Sequence, residues 1–161
     1  MTGGIAVRAA RLEDRDWIDP FLASVNAARV ARRGEVMTPV DHSMLIAEMA
    51  GEPIGLATYV VGDGACELLT LHAVTPWTGA GSALVAATVG VARAAGCRAL
   101  WLVTTNDNVD ALRFYQRRGF RIVAVHPGAV DEARQTLKPE IPAIGEHGIP
   151  LRDEIVLQQD L

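Results

Sequence analysis

The sequence predicts a mixed α/β fold, and three observations support this prediction. In the first half, β-rich runs are separated by turn residues, among them Gly51-Glu52-Pro53 and Gly62-Asp63-Gly64, a pattern typical of antiparallel hairpins. The pattern then changes period, because apolar residues recur at helical spacing through Gly81–Ala95 and Gly96 stands where a helix commonly ends. The short apolar run Ala99–Val103 that follows is typical of a strand covered on both faces.

The elements of the first half can be assigned in order. Ile5–Ala9 alternates as a first strand, and the acidic residues of Leu12–Asp16 favour the start of a helix that continues to Arg32. The segment Arg33–Ser43 is expected to be a loop. Three β-rich runs then predict an antiparallel meander: Met44–Met49, Ile54–Val61 and Ala65–Val74.

The second half is expected to alternate helices and strands. Thr104–Asn108 leads into a second helix that ends at Gly119. The prolines and glycines of His126–Arg152 indicate a long ordered loop, with one turn of helix near Val130–Thr136. The remaining strands are predicted at Phe120–Val125 and Asp153–Asp160.

Length and composition bound the class of protein. The 161 residues suit one domain over positions 1–161, because single domains usually run about 100 to 150 residues. Half of the residues are apolar. They are spread along the chain and do not form the uninterrupted stretch of about 20 residues that a membrane-spanning helix needs. The first ten residues lack the pattern of a secretory signal, so a cytoplasmic protein is expected.

Charge and cysteine content exclude two further classes of site. The net charge is −4 and the densest basic cluster is Arg117, Arg118 and Arg121, which is too small for a nucleic-acid-binding face. Cys66 and Cys97 are expected to be buried thiols, because two cysteines without clustered histidines form no zinc site. Neither nucleic acid nor a metal is therefore expected as a ligand.

A short turn predicts the first functional site. Thr78–Ser82 places two glycines between a strand and a helix, where backbone N–H groups and the helix dipole attract a phosphate or a diphosphate. A tight turn without a ligand is an equal alternative on this pattern alone. A P-loop is excluded because no Gly-Lys-Ser/Thr follows, and a dinucleotide-binding fold is disfavoured because the turn follows a meander rather than a first strand.

Two stretches resemble the GNAT superfamily of acyl-CoA-dependent N-acyltransferases. Leu69–Val74 running into Gly79–Val85 is similar to the family's strand, diphosphate turn and helix. Leu100–Asn108, followed by Ala111, Phe114-Tyr115 and Gly119-Phe120, is similar to its next strand and Asn-x-x-Ala-x-x-x-Tyr helix. The resemblance extends over about Cys66 to Val125.

The resemblance implies a central mixed sheet with splayed strands that hold acetyl-CoA as co-substrate. Pantetheine is expected to pair with the backbone at His72–Val74, and the side chain of Asn108 to bind the same arm. The implied cofactor residues are His72, Ala73, Val74, Thr78, Gly79, Ala80, Gly81, Ser82, Ala83, Asn108, Ala111 and Tyr115.

The turn departs from the family pattern at one position. The family usually has Gln or Arg three residues before the first turn glycine, where this sequence has Pro76. A backbone cradle tolerates the change because its donors are N–H groups. The loss of a cationic side chain is expected to weaken the binding of the cofactor's phosphates.

Two residues are implied as the catalytic pair. Tyr115 occupies the family's tyrosine position, where its hydroxyl could protonate the departing CoA sulfur; a packed aromatic is the alternative. Glu67 is the candidate base, because the family often places a glutamate there and removal of water makes a carboxylate a stronger base; a strand-end carboxylate in solvent is the alternative. His72 is the reserve base.

The acceptor is expected to be a small-molecule primary amine that enters between Trp17–Met37 and His126–Arg152. The second segment carries carboxylates and a histidine that could attract a cation or only cover a solvated loop: Asp131, Glu132, Glu140, Glu146 and His147. Protein N-termini or lysines are the runner-up acceptors. A non-catalytic acyl-CoA-binding module is the alternative function, and pairing of the terminal strands would give a symmetric homodimer.

Overall fold

The computed structural model describes residues 3–161. They form two compact units, of which the first contains the chain up to Arg29, Thr38–Leu100 and Leu161, and the second contains Val30–Met37 and Trp101–Asp160. Both units combine helices with strands. The predicted single domain over residues 1–161 stays a prediction.

The order of elements follows the predicted α/β pattern. In chain order they are β1 Ile5–Ala9, α1 Arg15–Ser24, β2 Val30–Arg32, β3 Glu35–Met37, β4 Ser43–Met49, β5 Glu52–Gly62, β6 Ala65–Ala73, α2 Ala80–Ala94, β7 Ala99–Thr105, α3 Val109–Gln116, β8 Arg121–His126, α4 Ala129–Thr136 and β9 Glu154–Asp160. No helix among residues 3–161 has the length and apolar character that crossing a membrane requires.

The first unit is an antiparallel set of strands in the order β1-β4-β5-β6, with α2 packed against all four. Gly55 permits close contact between the helix and β5, since a Cβ there would lie 3.0 Å from Leu84 Cδ1 and 3.2 Å from Ala80 Cβ. Buried Ile18 and Leu22 of α1 pack with Ile46 and Leu56, which are also buried, to form a core cluster. The contacts at Gly55 fix the start of α2 over the sheet.

The end of α2 has the predicted glycine cap. Gly96 has φ of +77° and donates its N–H to Arg93 O at 3.0 Å, while Cys97 donates to Ala92 O at 2.9 Å. This pair of bonds is a Schellman motif. Cys66 and Cys97 are free, buried thiols, and burial raises the pKa of Cys66 to about 12.

The predicted first helix was too long. The helix ends at Ser24, and Asn26 leaves the helical conformation with φ of +61°. The segment from Val30, predicted as helix and loop, forms the β2–β3 hairpin of the second unit. Its turn is Arg33-Gly34, where φ values of +52° and +79° place both residues in the left-handed region that a two-residue hairpin turn favours.

The second unit orders its strands β7-β9-β8, so the last strand lies between two others. The edge strand is therefore β8, and β9, the last strand of the chain, has a neighbour on each side. The predicted homodimer stays a prediction. The helix predicted near Val130–Thr136 is α4, which has 8 residues and two turns rather than one. Arg134 of α4 holds the following segment, because its guanidinium donates at 2.8 to 2.9 Å to the carbonyls of Ile141, Pro142 and Leu151.

Candidate functional site

The predicted anion turn adopts a conformation suited to glycine. Trp77 and Gly79 have φ of +66° and +89°, and the indole of Trp77 is 90% exposed. Thr78 braces the turn, because its hydroxyl donates to Thr75 O at 3.2 Å and accepts from the N–H of Ala80 at 3.4 Å. The backbone thus turns sharply from β6 into α2.

Helix α2 presents an electropositive start next to this turn. The helix has 15 residues and no acidic residue in its first turn. The first N–H groups of a helix have no carbonyl partner within it, and the helix dipole adds positive potential there. Ala80, Gly81 and Ser82 occupy these positions, whereas the N–H of Ala83 donates within the helix to Gly79 O at 3.1 Å.

The end of β6 offers one residue whose backbone points away from β5. Val74 donates its N–H to Ile54 O at 2.9 Å, and His72 stands opposite Leu56 in the antiparallel register. Because backbone groups alternate in direction along a strand, those of Ala73 point to the opposite side. Ala73 is therefore the residue of His72–Val74 whose backbone groups are directed away from β5, and the backbone contact with pantetheine stays a prediction.

Glu67 lies inside the protein rather than at a solvated strand end. It is 4% exposed and faces Val60 across β5 and β6. The register shifts between Thr58 and Tyr59, which leaves Leu69 of β6 without a partner. A bulge of this kind re-aims the side chains next to it and is common beside functional sites. The structure thus gives Glu67 a desolvated position on the strand that leads to the anion turn.

His72, the reserve candidate for the base, lies on the same strand. Its ring is half-buried and meets the ring of Phe21 edge-on, with centroids 6.4 Å apart. Burial lowers the pKa of His72 below its ordinary value. The imidazole is therefore neutral at physiological pH and able to accept a proton.

Tyr115 is buried in an aromatic cluster of the second unit. It is 8% exposed, and its ring meets Phe114 and Phe120 edge-on at centroid distances of 5.1 and 5.3 Å. Burial raises the pKa of Tyr115 well above its ordinary value. The hydroxyl therefore keeps its proton throughout the neutral range, as a proton donor requires.

Asn108 begins the helix that carries Tyr115. Its Oδ1 accepts a hydrogen bond from the N–H of Ala111 at 3.1 Å, so Asn108 is the N-cap of α3. The cap uses only the oxygen, and the carboxamide nitrogen supplies two further donors. Asn108 and Ala111, both predicted cofactor residues, thus have a structural role in this unit as well.

Two neighbours of Asn108 were missed by the sequence interpretation. Buried Asp107 accepts a hydrogen bond from the N–H of Glu146 at 2.8 Å. Asn106 donates to Pro150 O at 2.8 Å and accepts from the N–H groups of Arg152 and Asp153 at 3.0 and 2.9 Å. Both side chains tie the segment after α4 to the turn before α3. The sequence signal for these two residues is the run of polar residues Thr104–Asn108. This run does not indicate which partners the two side chains bind.

The segment 126–152 contributes to a cavity of about 350 Å³ within the second unit. Of the polar residues predicted there, Glu132 lines the cavity. Asp131 instead binds Arg134 at 2.8 Å, and His147 binds Asp110 at 3.0 Å. The buried Glu154 also lines the cavity and was not singled out from the sequence, because it stands at the start of a strand whose pattern is otherwise unremarkable.

The described residues 3–161 contain no group of three or more histidine, cysteine, aspartate or glutamate side chains placed to hold a metal ion.

Sequence comparison assigns the chain to a family. Residues 9–120 match the family described as Acetyltransferase (GNAT) family. Two proteins of Bacillus subtilis are similar over about two thirds of their length. The uncharacterized protein YdhI is 44% identical over 110 residues, which are 68% of each chain, and the uncharacterized protein YxbD is 41% identical over 108 residues, which are 67% of each chain.

Solved structures share the fold. The IAA acetyltransferase from Bacillus cereus is 22% identical with a TM-score of 0.72, over 98% of this chain and 100% of that one. The Bacillus subtilis acetyltransferase in complex with CoA is 20% identical with a TM-score of 0.74, over 98% and 99% of the two chains. These likenesses confirm the mixed α/β fold that the sequence predicts.

Proposed function

Because the chain belongs to the acetyltransferase (GNAT) family, it is an acyltransferase, and we propose that it transfers an acetyl group from acetyl-CoA to a primary amine. The observation that carries the proposal is the placement of buried Glu67 on the strand that leads into the turn at Gly79. One continuous strand, turn and helix thereby supply both a desolvated carboxylate and a set of backbone N–H groups for an anion.

The residues present fit acetyl-CoA in their chemistry. The turn and the start of α2, Gly79–Ser82, would hold the diphosphate through the backbone and the positive end of the helix dipole, since the first turn of α2 carries no acidic side chain. The backbone of Ala73 would pair with the amide-bearing arm, as a strand pairs with an added peptide. Acetyl-CoA supplies the activated thioester carbonyl.

Glu67 acts as the general base in this proposal. Its carboxylate takes a proton from the amine, directly or through a water molecule, as the amine nitrogen forms its bond to the acetyl carbonyl carbon. His72, which is neutral at physiological pH, is the alternative acceptor of that proton.

Tyr115 acts as the general acid. As the bond from carbon to sulfur breaks, the phenol donates its proton to the departing thiolate, which leaves as the CoA thiol. Tyr115 carries the proton to be donated at the pH of the reaction, as a phenol of ordinary pKa also does, and the raised pKa makes it a weaker acid.

A small-molecule amine is our first choice of acceptor, because the second unit holds a half-open cavity of about 350 Å³, a volume that suits a small ligand. Protein N-termini or lysines would instead need an open groove. A non-catalytic acyl-CoA-binding module would keep the turn but have no use for the buried Glu67.

Calorimetric titration with acetyl-CoA, using CoA and NADH as comparators, tests the proposal first. Micromolar binding of acetyl-CoA without binding of NADH is expected. A screen of amines for thiol release then follows, with Glu67→Gln as the matched variant. The variant is expected to bind acetyl-CoA normally and to lose turnover, because an amide cannot take the proton of the amine. Binding without turnover of any amine or peptide would favour the non-catalytic module, and absence of binding would sink the proposal.

We also infer that a second copy of the chain pairs with β8. This strand is the edge of the second unit and exposes about half of Ile122, Val123 and Val125, and exposed apolar edges invite pairing. Light scattering should report a dimer for the wild type and a monomer for Val123→Lys. A monomeric wild type at all concentrations would refute it.

A further inference from the structure

Two aromatic residues of α1 lie at the margin of the helix face that packs on the sheet. Ile18 and Leu22 are buried in the core cluster, whereas Trp17 and Phe21, which precede them by one position, pack against this cluster and stay partly exposed. The two rings are stacked, with centroids 4.8 Å apart and planes inclined by 14°. Residues four positions apart are neighbours on a helix surface, so the rings form one continuous aromatic surface beside the core.

The stack extends to the strand that leads into the anion turn. The ring of Phe21 meets the imidazole of His72 edge-on, with centroids 6.4 Å apart and an interplanar angle of 82°. We call the three rings of Trp17, Phe21 and His72 the aromatic wall. His72 is followed directly by Ala73, so the wall stands next to the residue proposed to pair with the arm of the cofactor. All of these residues belong to the first unit.

The candidate base lies on the same face of the sheet as the aromatic wall. In β5, Leu56 and Val60 are four positions apart, so their side chains point to one face. His72 stands opposite Leu56 and shares that face, and Glu67 stands opposite Val60 and does the same. Gly55, one position before Leu56, directs its Cβ position at α2. Helix α2 therefore occupies the other face, and this one is left to α1.

The rings of the aromatic wall are uncharged at physiological pH. Burial lowers the pKa of His72, so its imidazole is neutral and does not repel a cation. A primary amine with a pKa of about 10 is mostly an ammonium ion near neutrality, and the faces of Trp and Phe rings attract such an ion. The wall therefore suits an amine joined to an apolar, flat body.

We propose that the aromatic wall binds the acceptor, and that the acceptor is an arylalkylamine, a primary amine joined to an aromatic ring by a short carbon chain. The ring of the acceptor packs against the exposed parts of Trp17 and Phe21, and its amino group lies beside His72. Contacts between aromatic rings are favourable beyond the area that they bury. This proposal rests on the proposed function, because it names the substrate class of the same transfer. It gives Trp17 and Phe21 a role in specificity rather than in the chemical step.

The test compares two amines that differ in the aromaticity of the ring. 2-Phenylethylamine and 2-cyclohexylethylamine carry the same amino group on the same chain. We expect the wild type to prefer 2-phenylethylamine by about two- to tenfold in kcat/KM, the fold-change that corresponds to one aromatic contact. Trp17→Leu and Phe21→Leu should each bring this ratio close to one. The ratio of two substrates on one variant does not depend on the folded fraction, so a partial loss of stability leaves the measurement valid.

Two further variants separate the aromatic wall from the core beneath it. Trp17→Phe keeps a ring at this position and should retain most of the preference. Met44 of β4 packs against the same core cluster but is not part of the wall, and Met44→Leu conserves its apolar volume. This control should keep the wild-type ratio. An equal fall of the ratio in Met44→Leu and Trp17→Leu would show that the packing of the core, and not the wall, sets the preference.

Calorimetry on the CoA-loaded protein distinguishes failure of this proposal from failure of the proposed function. If 2-phenylethylamine binds more tightly than 2-cyclohexylethylamine, Trp17→Leu and Phe21→Leu remove the difference, and no acetyl group is transferred, the aromatic acceptor site stands and the acetyltransferase mechanism falls. If both amines are acetylated while the two variants leave the wild-type ratio unchanged, the wall is not the acceptor site. Failure of 2-phenylethylamine to bind and to be acetylated would overturn the arylalkylamine proposal, and acetylation of another amine would then leave the proposed function in place.

Discussion

The Asp107 carboxylate accepts a hydrogen bond at 2.8 Å from the backbone N–H of Glu146. The same carboxylate accepts from the Thr105 hydroxyl, so it links the end of β7 to the segment after α4. Gly145 lies so close that a Cβ there would be 2.6 Å from Asp107 Cγ. The contact therefore requires glycine at position 145 even though its φ is ordinary.

Gly145→Ala should break this contact. The added methyl group forces apart two elements that the native hydrogen bond holds together, and overpacking of this kind costs about 1 to 3 kcal/mol in the free energy of unfolding. Chemical denaturation measures the change. Gly90→Ala is the matched control, because a Cβ at this position of α2 meets nothing within 4 Å and alanine favours a helix by about 0.5 to 1 kcal/mol. Equal stability of Gly145→Ala and the wild type would show that the segment moves away at little cost.

Tyr115→Phe tests the proposed acid without changing the aromatic packing. Phenylalanine keeps the edge contacts with Phe114 and Phe120 but has no proton to donate. We expect kcat to fall by about 100- to 10,000-fold, which is the typical contribution of general acid catalysis, and the affinity for acetyl-CoA to stay nearly unchanged. Steady-state kinetics and calorimetry measure the two quantities.

The chain contains one other tyrosine, which provides the control for this change. Tyr59 of β5 is half-buried, and Tyr59→Phe also removes one hydroxyl. Its kcat should stay within about twofold of the wild type. If Tyr115→Phe behaves in the same way, Tyr115 is a packing residue and not the acid.

Local signals explain why several elements could be predicted from the sequence. The first strand was predicted at Ile5–Ala9 and is found there, because alternation of apolar residues depends on neighbours alone. Gly96 ends α2 for a similar reason, since a left-handed residue after a helix favours glycine whatever surrounds it. The anion turn at Thr78–Ser82 was likewise visible as two glycines between a strand and a helix.

Elements that depend on distant contacts could not be predicted. The hairpin turn Arg33-Gly34 lacks the Asn-Gly or Asp-Gly signal of its turn type, and the carboxylate that accepts the N–H of Arg33 belongs to Glu154, 121 positions later. Asp107 also binds a partner far along the chain. A carboxylate in the sequence gives no sign of whether it will be buried. The structure was therefore needed to show that the buried Glu154 lines the cavity.

Acid should destabilise the protein through Asp14. The guanidinium of Arg8 donates to this carboxylate at 2.7 and 2.8 Å, and these hydrogen bonds lower the pKa of Asp14 from 3.8 to about 2. Because the folded pKa lies below the unfolded one, the unfolded chain binds the proton more readily. The stabilisation is complete above the unfolded pKa and is lost as the pH falls from about 4 to about 2.

Asp14→Asn removes this titration. We expect the variant to be less stable than the wild type at pH 6 and the difference to shrink as the pH falls toward 2, measured by urea denaturation at a series of pH values. Asp16→Asn removes an exposed carboxylate at the start of the same helix and should not reproduce the pattern. A stability difference that is constant from pH 6 to pH 2 would contradict the linkage.

Gly79→Ala should weaken the binding of acetyl-CoA more than it weakens the fold. At φ of +89° an alanine is strained by about 1 to 2 kcal/mol, and its Cβ would lie 3.3 Å from Ile5 Cδ1. The turn can relieve both the backbone strain and the contact with Ile5 by leaving the left-handed region. The N–H groups at the start of α2 are then no longer arranged around one anion. Binding has to restore the strained turn, so the dissociation constant should rise about five- to thirtyfold.

The control for this change is a glycine without strain. Gly62 has no positive φ, and a Cβ there meets nothing within 4 Å, so Gly62→Ala should keep the affinity of the wild type. Calorimetry with acetyl-CoA and with inorganic diphosphate shows whether affinity is lost at the turn. A defect in the turn should weaken the binding of both ligands by a similar factor. If Gly79→Ala binds acetyl-CoA as tightly as Gly62→Ala does, the N–H groups of this turn do not hold the diphosphate, and the cofactor's phosphates are bound elsewhere.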